Sequence, residues 1–265
     1  MTSTTLDTAA RRADFEAWRE RRTETLSEPH GWLSLTGLHW LDESPQAVDG
    51  LPGTWWVAAD GVHLRAGAAD GLRLDGQLVD GEVVTAPVEG GAGTLVEDGD
   101  RHVEVIRRSG THALRVRDPH APLLATFTGV PVFDFDERWV VEARFEPFGG
   151  DREVVVGSVV EGLRQRFTAA GTARFEVGGA PQSLVLFRSG GEFSVLFTDA
   201  TSGVSTTGTT RSLAVEAPTA DGRVVLDFNR TANMPCAFTD HATCPLPPAE
   251  NRLRVAVEAG EKAPR

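Results

Sequence analysis

TWWVAADGVHLRAGAADGLRLDGQLVDGEVV, residues 54–84, is the stretch whose reading decides the fold. Short apolar runs (TWWVA, VHLRA, LRLDG) alternate with Asp-Gly pairs at 60–61, 70–71, 75–76 and 80–81. An aromatic or β-branched run bounded by Asp-Gly reads as a strand entering a tight hairpin, because glycine supplies the positive φ such turns need. The rhythm continues through HVEVIRR (102–108) and ALRVRD (113–118), and Asp221-Gly222 repeats the turn signal later. Regular short strands of this kind argue against alternating βα units. The expected class is all-β: antiparallel sandwich or barrel units with one N-terminal helix.

That helix is expected over residues 7–27. Phe15 and Trp18 lie three apart and Leu26 falls two turns later, which makes one apolar stripe among Arg and Glu. Glu28-Pro29-His30-Gly31 ends it, since proline disfavours helix in the residue before it. The spacing of turns changes near Pro119–Pro131, so the expected division is an N-terminal helix over 1–28, a small β unit over 29–128 and a larger sandwich or barrel over 129–265. Strands in the last part are longer, among them RWVVEARFEP (138–147), REVVVGSVVEG (152–162), RVVLDFN (223–229) and LRVAVEA (253–259). In the first, Trp139, Val141, Ala143 and Phe145 share a face, which leaves Glu142, Arg144 and Glu146 on the other. In the last, Leu253, Val255 and Val257 share a face.

Composition limits the function classes. A formal net charge of −12 argues against a nucleic-acid partner. No apolar run approaches the roughly 20 residues of a membrane helix, so no membrane partner is expected. The first residues, MTSTTLDTAARRADFE, lack the apolar stretch of a secretory signal, and a cytoplasmic location is expected. The chain has no tyrosine, which excludes a phenol as acid, base or nucleophile. Every basic residue but Lys262 is arginine. Nothing in the sequence specifies an oligomeric state.

NMPCAFTDHATCPLPPAENRL (233–253) resembles the signature of the bacterial domain of unknown function 1684 family. GWLSLTGLHWL (31–41), LRVRDPHAP (114–122), RWVVEARFEP, FTDATSGVSTTGTTRSL (197–213) and GRVVLDFNR (222–230) extend the likeness over most of residues 15–262. The resemblance implies a β-rich soluble or exported protein and names no reaction. This chain departs from the family pattern at Ala232 and His241, where tyrosine is usual, at Met234 and Arg254, where proline is, and at Thr207 and Thr210. A function that depends on a family tyrosine would not carry over to it.

The segment 227–262 gathers the candidate chemistry. Cys236, His241 and Cys244 form a C-x4-H-x2-C cluster that lacks the tight CxxC pair zinc favours, and no metal or cofactor is expected. The two thiols read first as packed, unreactive cysteines of a Pro-rich loop. Asp227 and Asn229 end one strand while Glu250 and Asn251 open the next, a placement that suits a small polar ligand or, equally, turns closed onto their own backbone. Lys262 is an amine kept in an arginine-rich chain, and Arg144 offers a planar fork to an anion. Arg144, Asp227, Asn229, Cys236, Glu250, Asn251 and Lys262 are therefore the candidate ligand-binding residues, and no catalytic residue is named. No GxGxxG, P-loop or GxSxG frame is present. Two readings follow: a site for a small polar molecule, with catalysis left open, or a non-catalytic interaction or structural module whose signature loop braces the fold.

Overall fold

The computed structural model describes residues 2–264, with side chains from residue 8 onward. The chain is mostly antiparallel sheet with one long helix, α1 (Thr2–Leu26), at its start. It forms two compact units. The meander unit comprises residues 25–127 with 239–242, and the signature unit comprises 1–24, 128–238 and 243–265.

The meander unit holds β1 (Leu35–Trp40), β2 (Thr54–Ala58), β3 (Gly61–Ala66), β4 (Leu72–Leu74), β5 (Gln77–Leu78), β6 (Gly81–Thr85), β7 (Thr94–Asp98), β8 (Arg101–Arg108) and β9 (Thr111–Arg117), then a short helix, α2 (Pro122–Thr126). Its strands make a six-stranded sheet in the order β1-β9-β8-β7-β4-β5 and a three-stranded sheet in the order β2-β3-β6. Both are open, so sheets meet face to face where a closed barrel was the other expectation. Of the four Asp-Gly pairs between 60 and 81, one forms the loop of a hairpin, and the pairs at 70–71 and 80–81 instead join strands of different sheets. Asp75 (φ 51°) and Gly76 (φ 74°) are the two central residues between β4 and β5, the double positive φ of a two-residue hairpin. One apolar core joins the layers. Trp55, Val62 and Leu64 pack with Leu72, Val96, Val103, Val105 and Leu114, all nearly or fully buried.

The signature unit carries β10 (Val140–Gly157), β11 (Arg164–Val177), β12 (Ala180–Ser189), β13 (Glu192–Phe197), β14 (Arg211–Val215), β15 (Arg223–Asp227) and β16 (Ala232–Asn233). They form one seven-stranded sheet in the order β15-β10-β11-β12-β13-β14-β16. The apolar face expected for 139–145 is real: Trp139, Val141, Ala143 and Phe145 enter the main core with Phe175, Phe197 and Phe228. Glu142, Arg144 and Glu146 are exposed. A second cluster, containing Ala169, Val185, Phe187 and Leu196, uses other residues of the same strands. The register shift between Ala169 and Gly171 explains how β11 serves both clusters, because one extra residue turns later side chains to the opposite face. Phe15 of α1 is buried against Phe135, the ring centroids 5.8 Å apart.

Two expected strands differ from the structure. RWVVEARFEP and REVVVGSVVEG are one strand, β10, with a register break between Pro147 and Arg152. LRVAVEA is not a ladder strand. Leu253 and Val257 are buried and Arg254 is exposed, so the alternation holds, yet its backbone meets the chain at 198–200 only through single bonds such as Leu253 N–H to Thr198 O (2.9 Å) and Ala200 N–H to Val255 O (3.1 Å). Burial of one side imposes a period of two whether or not a sheet forms. Among the described residues no helix is long and apolar enough to cross a membrane.

Candidate functional site

In the signature unit the polar residues of segment 199–262 include three buried braces and two solvent-reaching features. The first brace is a fully buried ion pair. Asp199 Oδ2 accepts from Arg211 Nη1 at 2.7 Å, with both side chains at 0% exposure. Asp199 Oδ1 also accepts from the Thr201 amide and hydroxyl and from the Val257 amide, while Arg211 donates to the Val257 and Ala259 carbonyls. Burial pulls the Arg211 pKa down and the Asp199 charge opposes it. This pair ties β14 to the irregular segment that follows Leu253.

Asn251 is the second brace. Its side chain is fully buried and stands between β12 and β13, accepting from Val185 N–H (2.7 Å) and donating to the carbonyls of Val185 (3.0 Å) and Leu196 (2.9 Å). The third brace is Glu261, with a side chain 1% exposed, which accepts from Arg22 Nε (2.8 Å) and from the Asn233 amide (2.6 Å). The Gly260 that precedes it has φ +73°, and a Cβ there would lie 2.4 Å from the Thr231 carbonyl oxygen. Only glycine fits.

The sequence-nominated residues do not converge on one point. Asp227 and Asn229 do meet: the Asp227 carboxylate accepts from the Asn229 amide nitrogen at 2.9 Å, and Asn229 also exchanges bonds with the backbone of Asp136. Asn229 is buried and its polar atoms are used internally. Asn251 is used internally as well. Glu250 is exposed, 3.9 Å from Arg152. The Lys262 ammonium lies 4.7 Å from the centre of the Phe133 ring, its carbonyl accepting from Asn233. Arg144 stands on the outer face of β10, and its cross-strand partners are Arg174 and Arg223 rather than acids.

Cys236 is half-buried and Cys244 buried, and neither is in a disulfide. The Cys236 amide donates to Cys244 Sγ at 3.2 Å, and Thr209 Oγ1 lies 3.5 Å from Cys236 Sγ. A side-chain hydrogen bond from Cys244 is the largest influence on the Cys236 thiol, and with those from Thr209 and the backbone it outweighs burial and brings the pKa down to about 7. Among the described residues no group of three His, Cys, Asp or Glu side chains is placed to hold a metal ion.

A concave depression of about 550 Å³ opens beside the Asn251 brace, lined by Asp199, Ala200, Ala249, Arg252, Leu253 and Arg254. The Asp199 carboxylate is turned inward to Arg211, so the charge that faces the depression comes from Arg252 and Arg254, both exposed. Among the described residues neither guanidinium has an acidic partner. Neither arginine was nominated from sequence. The signal existed: the alternation that buries Leu253 puts Arg252 and Arg254 on the same side.

The family profile described as "Protein of unknown function (DUF1684)" matches residues 125–262, which include every brace residue but Arg22. The chain belongs to this family. Among solved structures, the solution NMR structure of an uncharacterised protein of Haloarcula marismortui is similar at 30% identity, covering 53% of this chain and 79% of that one with a TM-score of 0.45. A search of curated proteins finds no match.

Proposed function

We propose that the protein binds a small anionic molecule, a carboxylate or phosphate, in the depression formed by its family signature at 249–254. The observation that carries this reading is the pair Arg252 and Arg254, two guanidiniums without acidic partners beside a cavity of about 550 Å³ in a chain of net charge −12. That volume suits a metabolite-sized ligand. Guanidinium forks match carboxylate and phosphate oxygens in pairs. Asn251 and the Asp199–Arg211 pair act in this reading as the frame, since rigid support is what holds a binding group in place. Glu250 is not among the residues that line the depression and lies 3.9 Å from Arg152.

The test is calorimetric titration with inorganic phosphate, citrate and adenosine monophosphate. Binding of at least one is expected, and Arg252→Ala with Arg254→Ala should weaken it roughly tenfold or more, because a hydrogen bond to a charged group contributes about 1.5–3 kcal/mol. Absence of binding across the panel, or equal binding by the double variant, overturns the reading.

A second reading has its own observation. The side chains of Asn229, Asn251 and Glu261 are spent on internal bonds, as a non-catalytic interaction or structural module would require. It predicts no binding in the titration and a loss of stability when Asn251 is changed.

A further inference from the structure

The cysteine pair is separate from that depression and has chemistry of its own. Cys236 sits in a one-turn 3-10 helix, Pro235–Ala237, closed by Ala237 N–H to Met234 O at 2.9 Å and Phe238 N–H to Pro235 O at 3.0 Å. Cys244 is pinned from the other side: its carbonyl accepts from Val159 N–H and from Ser158 Oγ, both at 3.0 Å, and the next residue, Pro245, bridges to Ser158. Two independently anchored segments thus hold one sulfur against the backbone of the other cysteine. Cys236 is partly exposed and Cys244 is buried. A reactive thiol needs access, a stabilised thiolate and, for a reversible outcome, a second thiol in reach. Inert core cysteines would lack the first and the third.

We infer that Cys236 and Cys244 form a peroxide-reactive dithiol, in which Cys236 attacks a hydroperoxide and Cys244 resolves the product to an intramolecular disulfide. The Cys236 thiolate displaces hydroxide from hydrogen peroxide, forming a sulfenic acid; sulfur is oxidised and the O–O bond breaks, with the hydroxide protonated to water. Cys244 sulfur then attacks the sulfenic sulfur, the S–S bond forms, and the departing hydroxide takes the Cys244 proton as a second water. Two thiols and one peroxide give one disulfide and two waters. Thr209 Oγ1, 3.5 Å from Cys236 Sγ, is a hydroxyl placed to donate to the thiolate. The groups that set the Cys236 pKa near 7 are all neutral, so no charged side chain is needed for its reactivity.

The test uses the reduced 265-residue chain and hydrogen peroxide, with thiol titration and intact mass as readouts. Loss of both thiols together with loss of two hydrogens in mass is expected, reversed by dithiothreitol. The rate should rise with pH through a midpoint near 7. Cys244→Ser should stop at a sulfenic acid that dimedone captures at Cys236. Cys236→Ser, with Cys236→Ala beside it to cover a folding defect, should react about tenfold more slowly, since an ordinary thiol is only a few per cent thiolate at neutral pH. Two thiols that survive peroxide, dimedone capture at Cys244, or a Cys236→Ser and Cys236→Ala pair that both react at the parental rate would each overturn the assignment.

Discussion

The two units are built on different economies of polar groups. The meander unit buries an apolar core around Trp55, Leu64 and Leu114, confines its buried charge to one cluster in which Arg115 and Arg117 flank Glu104, and keeps the rest outside in pairs such as Arg65–Glu82. The signature unit buries an apolar core as well, but adds Asp199, Arg211, Asn229, Asn233, Asn251 and Glu261 inside it. Hairpins with two-residue turns satisfy their backbone groups along the ladder, so the meander needs few internal polar side chains. The signature unit ends in an irregular run, residues 249–262, whose neighbours have no complete ladder to offer. Side-chain amides and carboxylates take the ladder's place there.

The strongest way to break this comparison is Arg211→Leu. It leaves the Asp199 carboxylate buried without its cation, and a loss of about 3–5 kcal/mol is expected in urea unfolding. A loss under about 1 kcal/mol would mean that the pair does not hold the unit. Asn251→Ala should follow at about 3 kcal/mol, because it strands the Val185 amide and two carbonyls without water to replace the amide. In the meander unit, no single exposed ion pair should approach these values. Arg65→Ala serves as that control, within about 1 kcal/mol.

A glycine pair sharpens the contrast at smaller scale. Gly260 and Gly76 have nearly the same φ, +73° and +74°. A Cβ at Gly76 meets nothing within 4 Å, whereas one at Gly260 strikes Thr231 O. Gly76→Ala should therefore cost about 1 kcal/mol, the local backbone cost alone, and Gly260→Ala at least about twice that. Equal costs by thermal unfolding would show that crowding at the signature adds nothing.

The smallest expected effect is a titration within the meander unit. His63 hydrogen-bonds Asp60 (2.7 Å) and Glu82 (2.9 Å), which raises its pKa, while burial lowers those of His102 and His112. The His63 contribution to stability is full below its unfolded value, about 6.5, and fades as pH rises through the higher folded value. His102 and His112 act in the opposite sense, since their neutral folded forms lose stability as pH falls below that unfolded value. Proton NMR of the imidazoles should give a midpoint above the ordinary value for His63 and below it for the other two. His63→Gln should be more destabilising at pH 5 than at pH 8. The reverse order would show that the acid partners do not hold the charged ring.

How much was legible in the sequence follows the same divide. The hairpin at Asp75-Gly76 was readable because the pair acts through its own φ angles, which depend on no distant residue, whereas Asp70-Gly71 and Asp80-Gly81 lie between strands of different sheets. The face of 139–145 was readable because alternation is local to a strand. The continuity of β10 through Gly149-Gly150 and the irregular path of 253–259 were not, since both depend on what lies beside them. Of the nominated polar residues, Asp227 and Asn229 do meet, but nothing in the spacing shows whether an asparagine's amide faces solvent or three backbone groups. Arg252 and Arg254 were passed over because an exposed arginine is ordinary until its acidic neighbours are known to be absent.

By itself the sequence determined an antiparallel β protein led by one helix, the hairpin at Asp75-Gly76 and its family, because turn residues, strand period and signature motif are all local. Only the tertiary structure decided which polar groups are braces and which are open to solvent. That depends on partners far apart in the chain, as when Arg211 reaches Asp199 and the carbonyls of 257 and 259, or when Cys244 comes to rest against the amide of Cys236. Desolvation and hydrogen bonding are properties of the assembled neighbourhood, and no single segment carries them.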